Sequence, residues 1–586
     1  MAGLGICDPR GQPKGPMPAD SEPQGAWPAG DNLLEGEGLG YVQVMLLPES
    51  FDGFTVHLVG VKGTGMCALA ELLVKLGARV SGSDVEEEFY TDAILAEIGV
   101  RVGVFNSGLH EMANAAASAP GEAPAEAEGQ GLLGKDANFV IRSAAYDESN
   151  AVVAEANRRG LPMLTYPEAL GELSQRYEAV AVAGVHGKTT TAAITGILIR
   201  ALALPATVVV GSAVEGFGEY DEKLRNFPNA AFDSRNTAFH SDRAGAEHSA
   251  SIGSSYRSVW RGGDRFLVAE TCEYRRHFLH FFPRMVVLSS VESDHQDYFP
   301  NYASISQAFV ELCKRLPEDG DLVYCFDNDG ARDVAARVGR IRPDVRMIPY
   351  GTRALGRWRV EIGEEGSAGG NAFRLGAFGC DFRLRLPGRH SVLNAVAALS
   401  IVHSLCKRES RNFDWARVKR ALAEFRGSRR RSEIIGEANG LVVMDDYAHH
   451  PTSIASFLDG LRVFYPGRRL VVDFMPHTYS RTAALIEDFT TCFDSVDILL
   501  LHPIYSSARE KYDGGIDGLE LWKRVSARRG KTGGRRRGRR ATLYCETLNQ
   551  AARALSSILR AGDLFVTLGA GNNRSLGLRV LREYGN

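Results

Sequence analysis

The chain has 586 residues, which is enough for about three or four domains. Its content of 44% hydrophobic and 24% charged residues is ordinary for a soluble globular protein, and a formal net charge of -3 argues against nucleic acid as a partner. Nine single cysteines without a CxxC pair indicate a reducing cytosol. No apolar run reaches the roughly 20 residues of a membrane helix, and no secretory signal precedes the fold. We therefore expect a cytoplasmic protein without membrane insertion.

The chain begins with a segment of low complexity. Residues 1–50 are rich in Gly, Pro, Ala and acidic residues and lack apolar periodicity, which predicts a disordered leader without chemistry, with translation from an early start codon as the alternative. From Thr55 the apolar run TVHLV leads into a glycine turn, an apolar-periodic helix and the strand ARVSGSD. Gly60, Gly63 and Gly65, followed roughly 20 residues later by Asp84, match a dinucleotide-binding turn, so NAD binding is one hypothesis here.

Two further blocks repeat the alternation of strands and helices. One begins at Tyr177 and includes the strands YEAVAVAG, RFLVAE, RMVVLSSVE and DLVYCFDND, and the other begins near Gly427 and includes LVVMDDY, RLVVDFMP, VDILLLHPIY and DLFVTLGAG. This order predicts an α/β fold of three domains with mostly parallel sheets. The predicted domains are a Rossmann-like domain at 51–165, a central P-loop ATPase domain at 166–426 and a C-terminal Rossmann-like domain at 427–586.

Three segments fit no predicted element. They lie at about 112–134, 216–255 and 527–540, and we interpret them as surface insertions. The last one, RRGKTGGRRRGRR with its flanks, is strongly basic. A solvated loop is favoured there over a site for nucleic acid or an acidic surface.

The strongest local motif is GVHGKTT at 184–190. Gly184 and Gly187 allow turn conformations in which successive N–H groups point at phosphate oxygens, and a helix N-terminus follows. Lys188 would supply a cation to the β and γ phosphates, and the Thr189 hydroxyl would join the shell of a magnesium ion. The first glycine stands closer to the lysine than in the common P-loop, so a glycine turn with a surface lysine is the alternative.

Acidic residues and a histidine follow two strands of the central block. They are Glu270 and Glu273 after one strand, and Glu292, Asp294, His295 and Asp297 after the next. The carboxyl ends of parallel strands meet at one edge of a sheet, the edge at which the phosphate loop also lies. These groups would hold magnesium beside the γ-phosphate, and the alternative is a set of surface acids that cap helices.

Histidines also follow two strands of the third block. DDYAHHP contains Asp445, Asp446, His449 and His450, and DFMPHTYSRT contains His477 and Arg481. Paired histidines with an acid are one form of zinc site, but the HExxH spacing is absent from the sequence. Hydrogen bonding to an anionic substrate or nucleotide is the favoured interpretation.

Seven motifs in this order resemble those of the Mur ligases, over most of the chain from Thr55 apart from the insertions. They are GVHGKTT, VAETCEY, VESDHQDYF, PGRHSVLNA, FRGSRRRSE, DDYAHHP and FMPHTYSRT. The resemblance implies a cytoplasmic enzyme of peptidoglycan synthesis, with ATP and Mg2+ as cofactors, acting as a monomer or homodimer. It implies that the carboxylate of UDP-N-acetylmuramate takes the γ-phosphate of ATP and that the amine of L-alanine then displaces phosphate.

The resemblance also implies roles for individual residues. Those expected to bind ATP are Gly184, Val185, His186, Gly187, Lys188, Thr189, Thr190, Asn394, Arg431 and Asp446. Lys188, Glu270 and His295 are the expected catalytic residues, and Thr189, Glu270 and His295 the expected metal ligands. Those expected to face the substrate are Gly60, Gly63, Gly65, Met66, Asp84, His449, His477 and Arg481. The Gly60 loop then holds the pyrophosphate of the UDP-sugar rather than NAD.

Some positions depart from the family pattern, and other functions compete. The departures are Lys62, Ser290, Ser453 and Met475, where the family has glycine, asparagine, glutamate and glutamine. Lys62 could add charge toward a diphosphate.

Within the family, the alternative function is that of a recycling ligase that attaches a tripeptide to UDP-N-acetylmuramate. The motif FMPHTYSRT argues against it. Outside it, an NAD-dependent oxidoreductase leaves GVHGKTT unexplained, and a nucleotide-binding partner protein without catalysis leaves Glu270 and His295 unexplained.

Overall fold

The computed structural model describes residues 45–105, 132–218, 256–363, 371–506, 512, 514–532 and 540–585. Most of the predicted leader, residues 1–44, therefore lies outside the described residues, as do most of the first two predicted insertions. Leu46 and Leu47 already donate backbone hydrogen bonds to the carboxylate of Glu172. Among the described residues, no helix combines the length and the apolar character needed to cross a membrane.

The first sheet of the described chain is five-stranded and parallel, in the order β3-β2-β1-β4-β5. Helices cover both faces of this sheet, so Val56, Leu58 and Val59 of β1 are fully buried. A strand that is buried on both faces has a nearly continuous apolar sequence. Its strands are β1 Thr55–Val59, β2 Arg79–Asp84, β3 Arg101–Val104, β4 Phe139–Arg142 and β5 Met163–Thr165, and its helices are Thr64–Lys75, Tyr90–Glu97, Ala151–Arg158 and Tyr166–Ser174.

The second sheet has ten described strands, in the order β15-β14-β13-β12-β11-β10-β6-β9-β7-β8. Its centre is parallel, and its two edges, β7 with β8 and β13 to β15, are antiparallel. The strands are β6 Glu178–Ala183, β7 Ala206–Glu215, β8 Tyr256–Arg261, β9 Phe266–Glu270, β10 Met285–Leu288, β11 Asp321–Cys325, β12 Arg346–Gly351, β13 Trp358–Ile362, β14 Asn371–Leu375 and β15 Cys380–Leu384. The helices are Lys188–Ala201, Tyr302–Lys314, Asp329–Ile341, Arg389–Arg408 and Trp415–Glu424, with 3-10 turns at Tyr274–His280 and Gly376–Phe378.

The third sheet has six described strands, in the order β16-β17-β21-β18-β19-β20, and only the β16 edge is antiparallel. Apolar side chains pack on both of its faces. Its strands are β16 Glu433–Ala438, β17 Leu441–Asp446, β18 Leu470–Met475, β19 Ile498–Leu501, β20 Ala541–Tyr544 and β21 Leu564–Gly569, and its helices are Pro451–Phe464, Tyr479–Ala484, Ile486–Thr491, Gly518–Thr532, Leu548–Ile558 and Arg574–Gly585.

The predicted fold class, three α/β units with mostly parallel sheets, is confirmed. The prediction that 527–540 is a solvated loop is wrong in its first part, because a helix continues to Thr532. Arg529 in that helix is only 3% exposed and donates hydrogen bonds to the carbonyls of Phe493 and Val496. Its side chain therefore anchors the helix to the third sheet, and residues 533–539 lie outside the described chain.

Candidate active site

The phosphate loop connects β6 to the helix Lys188–Ala201. Gly184 and Gly187 have φ values of 134° and 85°, which side chains disfavour. A Cβ atom at Gly184 would collide with Ser289, and one at Gly187 would lie 2.5 Å from Asn394 Oδ1. Both glycines are thus required by conformation and by space, and Asn394 lies directly against the loop.

Ser290 fixes the shape of the loop from the next strand end. Its hydroxyl accepts a hydrogen bond from the His186 N–H at 2.8 Å, and its carbonyl accepts one from the Val185 N–H at 3.0 Å. Ser289 contributes a further hydroxyl, which donates to the His186 carbonyl. The departure from asparagine at Ser290 therefore keeps a polar contact to the loop.

Lys188 pairs with Glu273 at the sheet edge. Its Nζ atom lies 2.8 Å from Glu273 Oε2, and His295 Nε2 lies 3.6 Å from Glu273 Oε1. Burial raises the pKa of the Glu273 carboxyl, but Lys188 and His295 lower it by a larger amount. The pKa of Glu273 therefore lies below its ordinary value. This carboxylate is therefore charged and holds the lysine beside the loop.

Thr189 and Glu270 form a second pair. Thr189 Oγ1 donates to Glu270 Oε2 at 2.9 Å, and Glu270 Oε1 is buried and has no hydrogen-bond partner among the described residues. Burial raises the pKa of Glu270, against the opposing influence of Thr189 and Arg431. A Cβ atom at Gly211 would collide with the Glu270 carboxylate, so a glycine on β7 leaves room for it. A buried, unsatisfied carboxylate oxygen beside a threonine hydroxyl matches the oxygen ligands that Mg2+ prefers.

His295 adopts a left-handed backbone conformation, with φ of 55°. Histidine is one of the residue types enriched there. Its ring nitrogen approaches Glu273 and, at 3.9 Å, Asp294. The structure thus brings Lys188, Glu273 and His295 together, next to the pair formed by Thr189 and Glu270.

Residues from the third sheet approach the same edge. Arg431 Nη2 lies 3.5 Å from Thr189 Oγ1, and Asp446 accepts hydrogen bonds from the N–H groups of Ser432 and Ala448 at 2.7 and 2.8 Å. Asp446 therefore holds the segment that carries Arg431. The hydrogen bond to the Ala448 N–H also positions the segment after β17.

Arg481 joins the third sheet to the central one. Its Nε atom lies 3.0 Å from Asp294 Oδ1, and both side chains are almost fully buried. Burial raises the pKa of Asp294, but Arg481 and His295 bring its net pKa well below the ordinary value. The rings of His449 and His477 lie 6.1 Å apart beside this ion pair. His449, His477 and Arg481, three of the eight residues predicted to face the substrate, therefore cluster at the contact between the sheets.

A further cluster contains His186, Glu292 and His450. His186 Nε2 lies 3.6 Å from Glu292 Oε2, and the rings of His186 and His450 are 4.9 Å apart. Burial lowers the pKa of His450 to about 4, with His186 as a second cause. The sequence interprets His450 only as part of the DDYAHHP motif, because nothing local to that motif indicates the approach to His186.

The glycine turn of the first sheet is separate from these clusters. Gly60 has φ of 83°, and a Cβ atom there would lie 2.6 Å from the Tyr146 ring. Asp84 accepts hydrogen bonds from the N–H groups of Lys62 and Val85 at 2.6 and 2.8 Å, so its carboxylate supports the turn. Gly63 and Gly65 continue the turn into helix Thr64–Lys75, where Met66 is buried.

Lys62 does not extend its charge into open space above this turn. Its Nζ atom donates to the Glu87 carbonyl at 2.8 Å and lies 3.3 Å from Asp92. The side chain is buried against the segment that leads into helix Tyr90–Glu97, and the added charge of Lys62 toward a diphosphate stays a prediction. Of the other departures, Met475 is buried and packs against Gly571.

Sequence reasoning missed Gly211, Ser289 and Tyr146. Each one matters through a contact with a residue far along the chain: Gly211 with Glu270, Ser289 with the phosphate loop, and Tyr146 with Gly60 and, at 3.2 Å, with Asp84. The only local signal is the glycine at position 211, because glycine inside a strand often marks a close approach.

Protein-family models match three successive parts of the chain. They are described as Mur ligase family, catalytic domain (residues 55–178), Mur ligase middle domain (182–402) and Mur ligase, glutamate ligase domain (430–571). Each match coincides with one of the three sheets.

Several curated relatives align over nearly their full length. The UDP-N-acetylmuramate–L-alanine ligase of Treponema pallidum (strain Nichols) is 44% identical over 543 residues, which cover 92% of this chain and 98% of that protein. The ligase of the same name from Borreliella afzelii (strain PKo) is 31% identical over 533 residues, with 89% and 98% covered.

Solved structures share the fold. The UDP-N-acetylmuramate-alanine ligase of Thermotoga maritima has a TM-score of 0.64 at 22% identity, with 90% of this chain and 99% of that chain covered. A murein peptide ligase of Psychrobacter arcticus has a TM-score of 0.55 at 21% identity, with 91% and 99% covered.

Proposed function

The chain belongs to the Mur ligase family, and from this premise we propose that it is an ATP-dependent ligase that joins UDP-N-acetylmuramate to L-alanine in the cytoplasmic synthesis of a peptidoglycan precursor. The observation that carries the proposal is the near full-length match to the Treponema pallidum ligase. The site geometry supports it, because a phosphate loop, a lysine and buried carboxylates meet at one edge of the central sheet.

The proposed reaction has two steps. A carboxylate oxygen of the muramate attacks the γ-phosphorus of ATP, and the bond to the β-phosphate oxygen breaks. The products of this step are an acyl phosphate and ADP. The amine nitrogen of L-alanine then attacks the acyl carbon, inorganic phosphate leaves, and the amine loses a proton. Such chemistry depends on positioning and charge stabilisation rather than on a protein nucleophile.

We propose that the loop amides at 184–190 and Lys188 hold the phosphates, with Asn394, Arg431 and Asp446 on the nucleoside side. Lys188 already lies beside the loop and pairs with Glu273. When ATP binds, a γ-phosphate oxygen would replace Glu273 as its partner, so the ammonium group stays paired with an anion. Mg2+ would be held by Thr189, Glu270 and His295 and would offset the charge of the phosphates. The unsatisfied Glu270 Oε1 supports this assignment.

We further propose that the Gly60 turn binds the diphosphate of the UDP-sugar. The turn precedes a helix N-terminus, which favours anions. In a dinucleotide site the acidic residue at the Asp84 position hydrogen-bonds a ribose. In this chain both carboxylate oxygens of Asp84 accept hydrogen bonds from backbone N–H groups instead of being left for a ribose. This disfavours the NAD hypothesis. His449, His477 and Arg481 are proposed to face the reacting groups from the third sheet.

An amine-specificity assay tests the proposal. The purified full chain is incubated with UDP-N-acetylmuramate, ATP and MgCl2, and phosphate release is followed with no amine, with L-alanine or with the tripeptide of the recycling reaction. We expect sustained release only with L-alanine, and mass spectrometry should show UDP-N-acetylmuramate carrying one alanine.

Two variants control the assay. Lys188→Ala measures contaminating ATPase activity, and Lys407→Ala removes an exposed lysine on the central domain and should behave as the wild type. Turnover with the tripeptide and none with L-alanine would instead assign the recycling reaction. L-alanine-dependent phosphate release that survives Lys188→Ala would remove the support for the ATP site.

A further inference from the structure

Three potential metal ligands converge from distant parts of the chain beside the phosphate loop. His186 belongs to the loop, Glu292 follows β10, and His450 precedes the helix Pro451–Phe464. One ligand atom from each of the three lies within 4.8 Å of the others. We propose that His186, Glu292 and His450 form a binding site for a transition-metal dication of the Zn2+ class, which ties the phosphate loop to the third sheet.

The donor atoms stand at a spacing that fits such an ion. Zn2+ binds imidazole nitrogen and carboxylate oxygen at about 2.0–2.2 Å, so two ligand atoms of a tetrahedral ion stand roughly 3.4 Å apart. His186 Nε2 and Glu292 Oε2 are already 3.6 Å apart. All three donor atoms lie within 4.8 Å of one another, so the third donor needs an approach of at most about 1.4 Å.

The two imidazoles lack other partners at the relevant atoms. His186 Nε2 and His450 Nε2 are buried, and neither has a hydrogen-bond partner in the described part of the chain. His450 is only 6% exposed. Buried polar atoms are normally satisfied, and an ion at this position would satisfy both nitrogens at once.

The surroundings can orient the ligands. Asn328 Nδ2 donates to Glu292 Oε1 at 3.2 Å and leaves Oε2 directed at His186. His450 Nδ1 accepts a long hydrogen bond of 3.3 Å from the Thr452 N–H, so the ring proton of the neutral form sits on Nε2. Coordination through Nε2 requires the other neutral tautomer, so metal uptake moves the ring proton from Nε2 to Nδ1 and breaks this weak bond.

The ligand set differs from that of the proposed magnesium site. Two imidazoles and one carboxylate favour Zn2+, Co2+ or Ni2+, whereas Mg2+ prefers oxygen ligands. Thr189, Glu270 and His295 form the other group, and no residue is shared. The two sites should therefore be distinguished by metal type and by substitution.

A metal titration without nucleotide or substrate tests the proposal. The metal-free full chain is titrated with Zn2+ by calorimetry and with Co2+ by visible absorption. We expect one equivalent of saturable binding and the intense d–d bands of a low-coordinate Co2+ site. His450→Ala and Glu292→Gln should each weaken the affinity at least about tenfold, since even residues that only support a ligand have effects of that size.

Matched variants make the result decisive. His403→Ala removes a half-buried histidine on another face of the central domain and should leave the binding unchanged. Glu292→Gln is conservative at a carboxylate that is 26% exposed, so it tests the site even if His450→Ala fails to fold. Equal affinity in wild type and Glu292→Gln, or a loss of binding in Glu270→Gln alone, would overturn the proposal.

Discussion

The pair formed by Lys188 and Glu273 allows a structural contribution to be separated from a catalytic one. Lys188→Ala removes the cation and leaves the Glu273 carboxylate, whose side chain is 3% exposed, without its main partner. Breaking a buried ion pair from one side costs about 3–5 kcal/mol. His295 remains 3.6 Å from Glu273 and offsets part of the loss, so we expect a decrease of about 3 kcal/mol in the free energy of unfolding.

The double variant Lys188→Ala/Glu273→Gln should recover most of that stability, because the uncompensated charge is gone. It should recover none of the phosphate release, because the γ-phosphate still lacks its cation. Stability is measured by urea denaturation followed by circular dichroism, and activity by L-alanine-dependent phosphate release. Glu273→Gln alone completes the double-mutant cycle, and Lys407→Ala serves as the surface control.

Two results would refute this reasoning. If Lys188→Ala unfolds at the same urea concentration as the wild type, the pair does not stabilise the fold. If the double variant regains activity, Lys188 acts only by neutralising Glu273, and its proposed contact with ATP is wrong.

Two further predictions concern Gly211 and Glu71, a fully buried residue of the helix Thr64–Lys75. Gly211→Ala should abolish phosphate release while the circular dichroism spectrum is retained, because the added Cβ atom displaces the Glu270 carboxylate; unchanged activity would contradict the proposed metal site. Burial raises the pKa of Glu71 from 4.5 to about 7, so its contribution to stability is fully present below pH 4.5 and is lost as the pH rises through 7, by roughly 3 kcal/mol. Glu71→Gln should flatten the decline of the unfolding free energy between pH 4.5 and 7, and an unchanged slope would show that another group causes it.

The sequence determined the local elements and the identity of the phosphate loop. Strands such as β6 and β9 are continuous apolar runs, and the turn 184–190 needs its glycines whatever surrounds it. Apolar periodicity and turn chemistry depend on neighbours along the chain, so they can be read without the tertiary structure. The convergence of Glu270 and His295 on the loop followed from one general rule, the alignment of strand ends in a parallel sheet.

Only the tertiary structure decided which distant side chains meet. Arg481 reaches Asp294 across 187 positions of sequence, and His450 approaches His186 from the third sheet. These contacts depend on strand order and on the packing of one sheet against another. The sequence pattern of each element is compatible with several such arrangements, because a helix or strand shows which face it buries but not which element covers that face.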